Sequence, residues 1–129
     1  MNPKLPKFKL LVMDDEEGVL DMIREHFGPR GYEVFAALDG VEGIEICKRE
    51  KPDVILLDLK MKKMDGNEAI PHLKSSAPQA KIFVVSAYQD EVMARKIAGL
   101  GVYAHFEKPV SVIELEKSVR ASLQQKPQL

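Results

Sequence analysis

Residues 53–58 of this 129-residue chain read Asp53-Val54-Ile55-Leu56-Leu57-Asp58. Four consecutive aliphatic side chains without alternation are typical of a central strand in a parallel sheet, because helices cover both faces of such a strand. An aspartate follows directly, and a buried carboxylate is costly unless it has a partner. The segment therefore predicts a buried strand, 53–57, that leads into a carboxylate with a chemical role.

Short apolar runs and helical patterns alternate on both sides of this strand. They predict strands at 8–13, 32–37, 81–85 and 102–106, and five helices that begin near residues 16, 39, 66, 90 and 112. Capping boxes are indicated by Asp39 with Glu42 and by Ser111 with Glu114. Strands that alternate with helices form a parallel sheet covered on both faces. The predicted fold is α/β, a flavodoxin-like (βα)5 doubly wound parallel sheet with strand order 2-1-3-4-5.

The composition indicates a single globular domain. The chain is 45% hydrophobic and 30% charged, and its net charge of −1 gives no support for direct nucleic-acid binding. No apolar run is long enough for a signal peptide or a membrane span, so we expect a cytoplasmic protein without membrane contact. We predict an N-terminal extension at 1–7, one domain at 8–123, and a tail or the start of a linker at 124–129. The lone Cys47 excludes an internal disulfide.

Polar residues follow four of the five predicted strands. Asp14 and Asp15 follow the first strand, Asp58 the third and Ser86 the fourth, and Lys108 comes just after the fifth. In the order 2-1-3-4-5 these four strands are neighbours, and doubly wound sheets bind ligands outside the carboxyl ends of their strands. We therefore expect these side chains to converge.

Each of these residues also has an ordinary structural explanation, although a purely structural role is the less favoured interpretation for Asp58. Asp14 or Asp15 is equally well explained as a cap of the first helix. Ser86 alone is typical of a turn, and Lys108 alone of a solvated loop, although Pro109 permits a cis peptide bond beside it. No single position distinguishes a site from these alternatives.

The combination of these residues favours a site. Three carboxylates within about 4 Å of one another repel by roughly 4 kcal/mol per pair at an effective dielectric constant near 20, so a cation must relieve the repulsion. Carboxylate oxygens with room for water suit Mg²⁺. The remaining carboxylate, hydroxyl and ammonium are suited to a nucleophile and two contacts with phosphate oxygens.

The sequence resembles the response-regulator receiver domains of two-component signalling, and the resemblance covers essentially the whole chain. It rests on the order and separation of four motifs, which are Asp14-Asp15, Asp58, Ser86-Ala87 and Lys108-Pro109. The resemblance implies a signalling domain that catalyses only its own phosphoryl transfer and autodephosphorylation.

The phosphoacceptor implied by the resemblance is Asp58, with a sensor histidine kinase or a phosphotransfer protein as the donor. Mg²⁺ would be bound by the carboxylates of Asp15 and Asp58 and by the backbone carbonyl of Lys60, while Asp14 would act through a water molecule. The metal would neutralise charge during in-line transfer.

The resemblance also implies a conformational switch. Ser86 and Lys108 would hold phosphoryl oxygens, and the movement of Ser86 would repack the fourth helix, fifth strand and fifth helix. This surface would signal to an output domain or a target protein, and the resemblance allows a homodimer that forms on phosphorylation. Lys60 and Tyr88 would tune the lifetime of the phosphoryl group.

Two positions depart from the family pattern. Lys62 stands where the family has a proline, a change that affects loop stiffness. His105 occupies the position of the switch aromatic, which is usually tyrosine or phenylalanine. The simpler interpretation is that His105 swings as any ring would, and the alternative is that its charge couples the switch to pH.

Two other classes of protein share some of these features. A degenerate receiver would bind partners without being phosphorylated, but every chemical position here has a competent residue. A phosphatase of the haloacid dehalogenase type requires a second carboxylate two residues after its nucleophile, and Lys60 stands there. That class also carries a cap domain, which this sequence lacks.

Overall fold

The computed structural model describes residues 7–61, 63–87 and 91–124. Five strands form one parallel sheet in the order β2-β1-β3-β4-β5. The strands are β1 (Phe8–Met13), β2 (Tyr32–Ala37), β3 (Val54–Leu57), β4 (Lys81–Ser86) and β5 (Ala104–Glu107). The helices are α1 (Glu17–Phe27), α2 (Gly40–Glu50), α3 (Gly66–Ser76), α4 (Glu91–Gly99) and α5 (Val112–Leu123). This architecture confirms the predicted fold class and strand order.

Strand β3 is the centre of the sheet and of the core. It lies between β1 and β4, and its four side chains are at most 2% exposed. Ile55 and Leu57 pack in one apolar cluster with α2, α3 and α4, whereas Val54 and Leu56 pack in another with α1 and α5. The prediction of a central strand covered on both faces is confirmed.

The helix starts follow the predicted caps in two cases and depart from them in one. The Asp39 carboxylate accepts from the Glu42 amide at the start of α2, and the Ser111 hydroxyl accepts from the Glu114 amide at the start of α5. At α1 the N-cap residue is Glu16, which makes no side-chain capping bond. The capping explanation for Asp14 and Asp15 is therefore wrong.

The strand β5 starts later than the predicted range 102–106. Gly101 turns the chain at φ +77°, and the pairing with β4 begins only at Ala104, opposite Phe83. A short 3-10 helix, Gly28–Arg30, also separates α1 from β2. The predicted first residue of α4, Asp90, lies outside the described residues. In the parts of the chain that are described, no helix combines the length and apolar character needed to cross a membrane.

A polar network fixes the second half of α5, where the sequence predicted only an apolar stripe. Glu116 is 8% exposed, accepts from the Tyr32 hydroxyl at 3.0 Å and pairs with Arg120 at 2.7 Å. Burial and the Glu116 carboxylate raise the pKa of Tyr32. Arg120 also donates to the Arg30 carbonyl. The buried Glu116 is thus fully paired, as a buried charge must be.

Candidate functional site

Backbone hydrogen bonds continue the sheet by one residue beyond its strands. They run from the amides of Asp14 to Ala37 (3.1 Å), Asp58 to Met13 (2.9 Å) and Lys108 to Ser86 (2.8 Å). Each bond holds one predicted site residue at the carboxyl end of a strand, where side chains of neighbouring strands lie close together. The sheet itself therefore brings Asp14, Asp58, Ser86 and Lys108 to a common edge.

Lys108 connects the acidic residues at this edge. Its ammonium lies 2.7 Å from Asp14 Oδ2, 3.5 Å from Asp58 Oδ2 and 3.7 Å from Glu16 Oε1. Asp14 and Asp58 are buried, at 3% and 6% exposure, and only 17% of the Lys108 side chain is exposed. Lys108 is therefore not a solvated loop cation, and it relieves part of the repulsion between the two carboxylates. The Lys108–Pro109 peptide bond is cis.

The charged groups in this cluster affect one another's ionisation. Burial raises the pKa of Asp58, and the neighbouring Asp14 carboxylate raises it further. The Lys108 ammonium and the Lys60 amide, which donates to Asp58 Oδ1 at 3.2 Å, act in the opposite direction. Burial lowers the pKa of Lys108, but the nearby carboxylates outweigh it, so the pKa is raised overall. The site holds a crowded carboxylate beside a stable cation.

Ser86 adds an unsatisfied polar group to the site. The residue is fully buried, and its Oγ has no partner at hydrogen-bonding geometry among the described residues. The hydroxyl is still close enough to favour the Asp58 anion slightly. Because a buried hydroxyl without a partner is costly, a ligand oxygen that reaches this point would be stabilised by it.

The acidic residues also meet the requirements of a hard cation. Asp14, Asp15 and Glu16 present carboxylate oxygens that all lie within 4.8 Å of one another. Asp15 is exposed and lines a cleft of about 430 Å³ together with Lys60. Several carboxylate oxygens beside open space suit Mg²⁺, which retains water when it binds. The donor set therefore fits that ion.

Glu16 is the residue near the site that sequence reasoning missed. It lies beside Lys108, and its amide donates to Asp14 Oδ1 at 3.0 Å. The sequence does contain a signal, because Glu16 is the third consecutive acidic residue after β1. The alternative explanation of the acidic residues of this turn as helix caps is the reason that Glu16 was not assigned to the site.

A second cleft approaches the site from the other side of the sheet. It has a volume of about 450 Å³ and extends between α1 and α5 to Asp14, Asp58 and Lys108. Val19, Ile23 and Leu115 are among its apolar lining residues. The Asp58 carboxylate is therefore reachable although the residue is buried.

The remaining predicted positions lie at the rim or outside the described residues. His105 is exposed on β5, opposite Val84 in the adjacent strand. Its neighbour Phe106 is half-buried and stacks on Phe83 with ring centroids 6.3 Å apart. Tyr88, Lys62 and the segments 1–6 and 125–129 lie outside the described residues.

Comparison with known proteins gives a consistent result. The family model described as the response regulator receiver domain matches residues 10–120. Sporulation initiation phosphotransferase F of Bacillus subtilis is 32% identical over 115 residues, which cover 89% of this chain and 93% of that protein. Response regulator MprA of Mycobacterium leprae is 36% identical over 117 residues, but the match covers only 50% of that longer protein.

The fold comparison agrees with the sequence comparison. The crystal structure of a CheY-like response regulator receiver domain protein from Methanospirillum hungatei superimposes with a TM-score of 0.87 at 26% identity, covering 91% of this chain and 94% of that one. The chain thus spans nearly all of some relatives and about half of others.

Proposed function

This chain belongs to the response regulator receiver family of two-component signalling, and from that premise we propose that it accepts a phosphoryl group on Asp58 in a Mg²⁺-dependent reaction. The proposal is carried by one observation. The buried Asp58 carboxylate lies beside both the Lys108 ammonium and the unpartnered Ser86 hydroxyl. A nucleophile with two contacts for phosphate oxygens is what phosphoryl transfer requires.

The transfer step uses these three side chains. An Asp58 oxygen attacks the phosphorus of a phosphohistidine donor, a new O–P bond forms, and the N–P bond breaks with its electron pair left on the imidazole. Lys108 opposes the rise in the pKa of Asp58 that burial and Asp14 cause, and so favours the ionised nucleophile. In the proposed step it then binds a phosphoryl oxygen together with Ser86. The sheet holds Lys108 beside Asp58 before the donor arrives, so this cation needs little reorganisation.

The metal ligands in this proposal are Asp14, Asp15, Asp58 and the backbone carbonyl of Lys60, with Asp14 acting through water. Mg²⁺ bound there supplies charge neutralisation between the acceptor and the incoming phosphate. Asp14 and Asp58 are buried together, and this accounts for the need for positive charge at the site.

The signalling consequence is a change in the surface formed by α4, β5 and α5. We infer that Ser86 and His105 are the switch residues, and that the surface signals to an output domain or a target protein. The proposed donor is a sensor histidine kinase or a phosphotransfer protein, and the proposed setting is the cytoplasm. A phosphorylation-dependent homodimer through the same surface is compatible with this scheme.

Incubation of the protein with acetyl phosphate and Mg²⁺, followed by intact mass spectrometry, tests the proposed function. A receiver accumulates one phosphoryl group, and removal of Mg²⁺ by a chelator prevents the modification. A degenerate receiver never gains the mass. A phosphatase instead hydrolyses a broad set of phosphate esters, so release of phosphate from such esters would contradict the proposal.

Shortening Tyr88 tests the proposed control of the phosphoryl lifetime. We expect Tyr88→Ala to shorten the half-life of the modified protein, because the family resemblance implies that this side chain flanks the route of the attacking water. Decay of the phosphorylated mass after removal of the phosphodonor measures the half-life. Val92→Ala removes an exposed side chain from α4 and serves as the control. An unchanged half-life in Tyr88→Ala would show that the Tyr88 side chain does not control the access of water to the phosphoryl group.

The charge of His105 is testable separately from its shape. The ring is exposed on β5, the edge strand of the sheet, so its surroundings are mainly water. We therefore expect phosphorylation to cause the same chemical-shift changes in α5 at about pH 6 and about pH 8, on either side of the usual imidazole pKa. Changes that differ between the two conditions would favour the alternative, in which the switch is coupled to pH.

A further inference from the structure

The described residues that follow Asp58 and precede α3, 59–61 and 63–65, are here called the acceptor loop. Its base is closed by the Gly66 amide, which donates to the Leu59 carbonyl at 2.8 Å. Near the base, the Lys60 amide donates to the Asp58 carboxylate at 3.2 Å. The conformation of this loop therefore determines where the Lys60 carbonyl lies relative to the acceptor.

The far end of the acceptor loop is attached to the start of α2. The Lys63 ammonium lies 3.4 Å from Asp39 Oδ2. Asp39 is the N-cap of α2, with its other oxygen 2.8 Å from the Glu42 amide. Because that amide and the Lys63 ammonium both stabilise the anion, the pKa of Asp39 is lowered.

Two features of the backbone accompany this attachment. Lys63 has φ +71°, in the left-handed region that a residue with a long side chain rarely adopts. The next residue, Met64, is packed so closely on Gly40 that a Cβ at Gly40 would lie 2.9 Å from both the Cβ and the carbonyl oxygen of Met64. The acceptor loop therefore touches the start of α2 at two points, the Lys63–Asp39 ion pair and the Met64–Gly40 contact.

We propose that Lys63 and Asp39 form a latch that positions the acceptor loop for Mg²⁺ binding. With the base closed at Gly66 and the far end held at α2, the Lys60 backbone between them has little freedom. Lys63 is thus a positioning residue and touches neither phosphate nor metal. This inference rests on the proposed function, because it assigns the Lys60 carbonyl to the metal.

Two substitutions break the latch while preserving what surrounds it. Lys63→Asn removes the ammonium but keeps a residue that tolerates positive φ. Asp39→Asn removes the carboxylate charge but keeps a good N-cap for α2. Isothermal titration with Mg²⁺ alone gives the dissociation constant of each variant. We expect each to bind Mg²⁺ about threefold to fivefold more weakly than the wild type, because an ion pair with one exposed partner couples modestly.

The signs of the two effects separate a latch from simple electrostatics. If charge alone mattered, loss of a positive charge in Lys63→Asn would strengthen Mg²⁺ binding, whereas loss of a negative charge in Asp39→Asn would weaken it. A latch predicts weaker binding in both, and a double variant no weaker than either single one. Opposite or additive effects would overturn the proposal.

Three further measurements complete the test. Lys63→Arg should restore wild-type affinity, since it restores the ion pair. Amide hydrogen exchange in the metal-free protein should become faster at residues 60, 61 and 64 in both single variants. Lys48→Gln removes an exposed cation from the last turn of α2 and should change neither readout. Unchanged exchange in the latch variants would contradict the proposal even if the affinities fell.

The outcome for the wild type distinguishes this inference from the proposed function. If the wild type binds Mg²⁺ and is phosphorylated but the latch variants behave like it, only the latch is wrong. A wild type that neither binds Mg²⁺ nor gains a phosphoryl group would overturn both.

Discussion

Asp58→Asn is expected to gain no phosphoryl group from acetyl phosphate under conditions in which the wild type is modified. The substitution keeps the shape of the side chain but replaces the nucleophilic carboxylate by an amide, so the acyl phosphate cannot form. Intact mass spectrometry of both proteins measures the difference. Asp21→Asn, at an exposed carboxylate of α1, is the matched control and should be modified as the wild type is.

The same variant has a predictable effect on stability without metal. The pKa of Asp58 is raised in the folded state, so the folded protein holds this proton more tightly than the unfolded chain does. Wild-type stability is therefore lost as the pH rises from the ordinary aspartate pKa, about 3.9, through the raised value. Asp58→Asn lacks this loss, so it should melt at a higher temperature than the wild type near neutral pH.

Below the ordinary pKa the advantage of the amide should vanish, because Asp58 is then protonated in both states. Near neutral pH, added Mg²⁺ should also reduce the difference in melting temperature between the two proteins. It does so by stabilising the wild type, because Mg²⁺ binds the ionised wild-type site more tightly than the variant site. Thermal melts across pH, with and without Mg²⁺, test both statements. If the variant were less stable than the wild type at neutral pH without metal, the crowding of Asp14 and Asp58 would be less costly than we infer. Phosphorylation of Asp58→Asn to the same extent as the wild type would contradict the assignment of Asp58 as the acceptor.

Gly66→Ala is expected to destabilise the fold by about 1–3 kcal/mol, the usual cost of overpacking. A Cβ at Gly66 would lie 2.8 Å from the Leu59 Cα and 3.0 Å from the Asp58 carbonyl oxygen. These atoms belong to the backbone, so they cannot move aside as the end of a flexible side chain would. The acceptor loop must shift instead, and weaker Mg²⁺ binding should accompany the loss of stability.

Gly18→Ala provides the opposite expectation for the same chemical change. Gly18 lies in the first turn of α1, and among the described residues no atom beyond its chain neighbours and the nearby helix backbone would lie within 4 Å of an added Cβ. Alanine is favoured over glycine inside a helix, so this variant should be more stable by roughly 0.5–1 kcal/mol. Urea unfolding measures both proteins. A Gly66→Ala variant as stable as the wild type would mean that the close approach to Leu59 is not required.

The sequence was sufficient for the fold because its strongest signals are local. The unbroken aliphatic run of β3 and the capping pattern at Asp39 each depend on a few adjacent residues, and both are confirmed. The start of β5 was misplaced because Val102 and Tyr103 have strand-like side chains, whereas Gly101 and the pairing with β4 decide where the strand begins. Pairing between strands is a tertiary effect that propensity does not contain.

The candidate site was predictable in position but not in its internal contacts. Residues that follow neighbouring parallel strands must meet, so the convergence of Asp14, Asp58 and Lys108 could be inferred from strand order alone. Which carboxylate Lys108 contacts most closely depends on side-chain geometry. Glu116 was missed for a related reason: its partner Tyr32 is 84 residues away in the chain, and no local pattern reports such a pair.

The two-sided packing of β3 has a consequence for chain length. Odd-numbered and even-numbered side chains of this strand belong to different apolar clusters. Inserting or deleting a single residue between Asp53 and Asp58 would exchange the two sets, so that both helical layers would meet side chains shaped for the other. The packing of both apolar clusters therefore fixes the number of residues in β3, and with it how far Asp58 projects beyond the sheet. Evolution can change the residues around Asp58 far more easily than it can change this length.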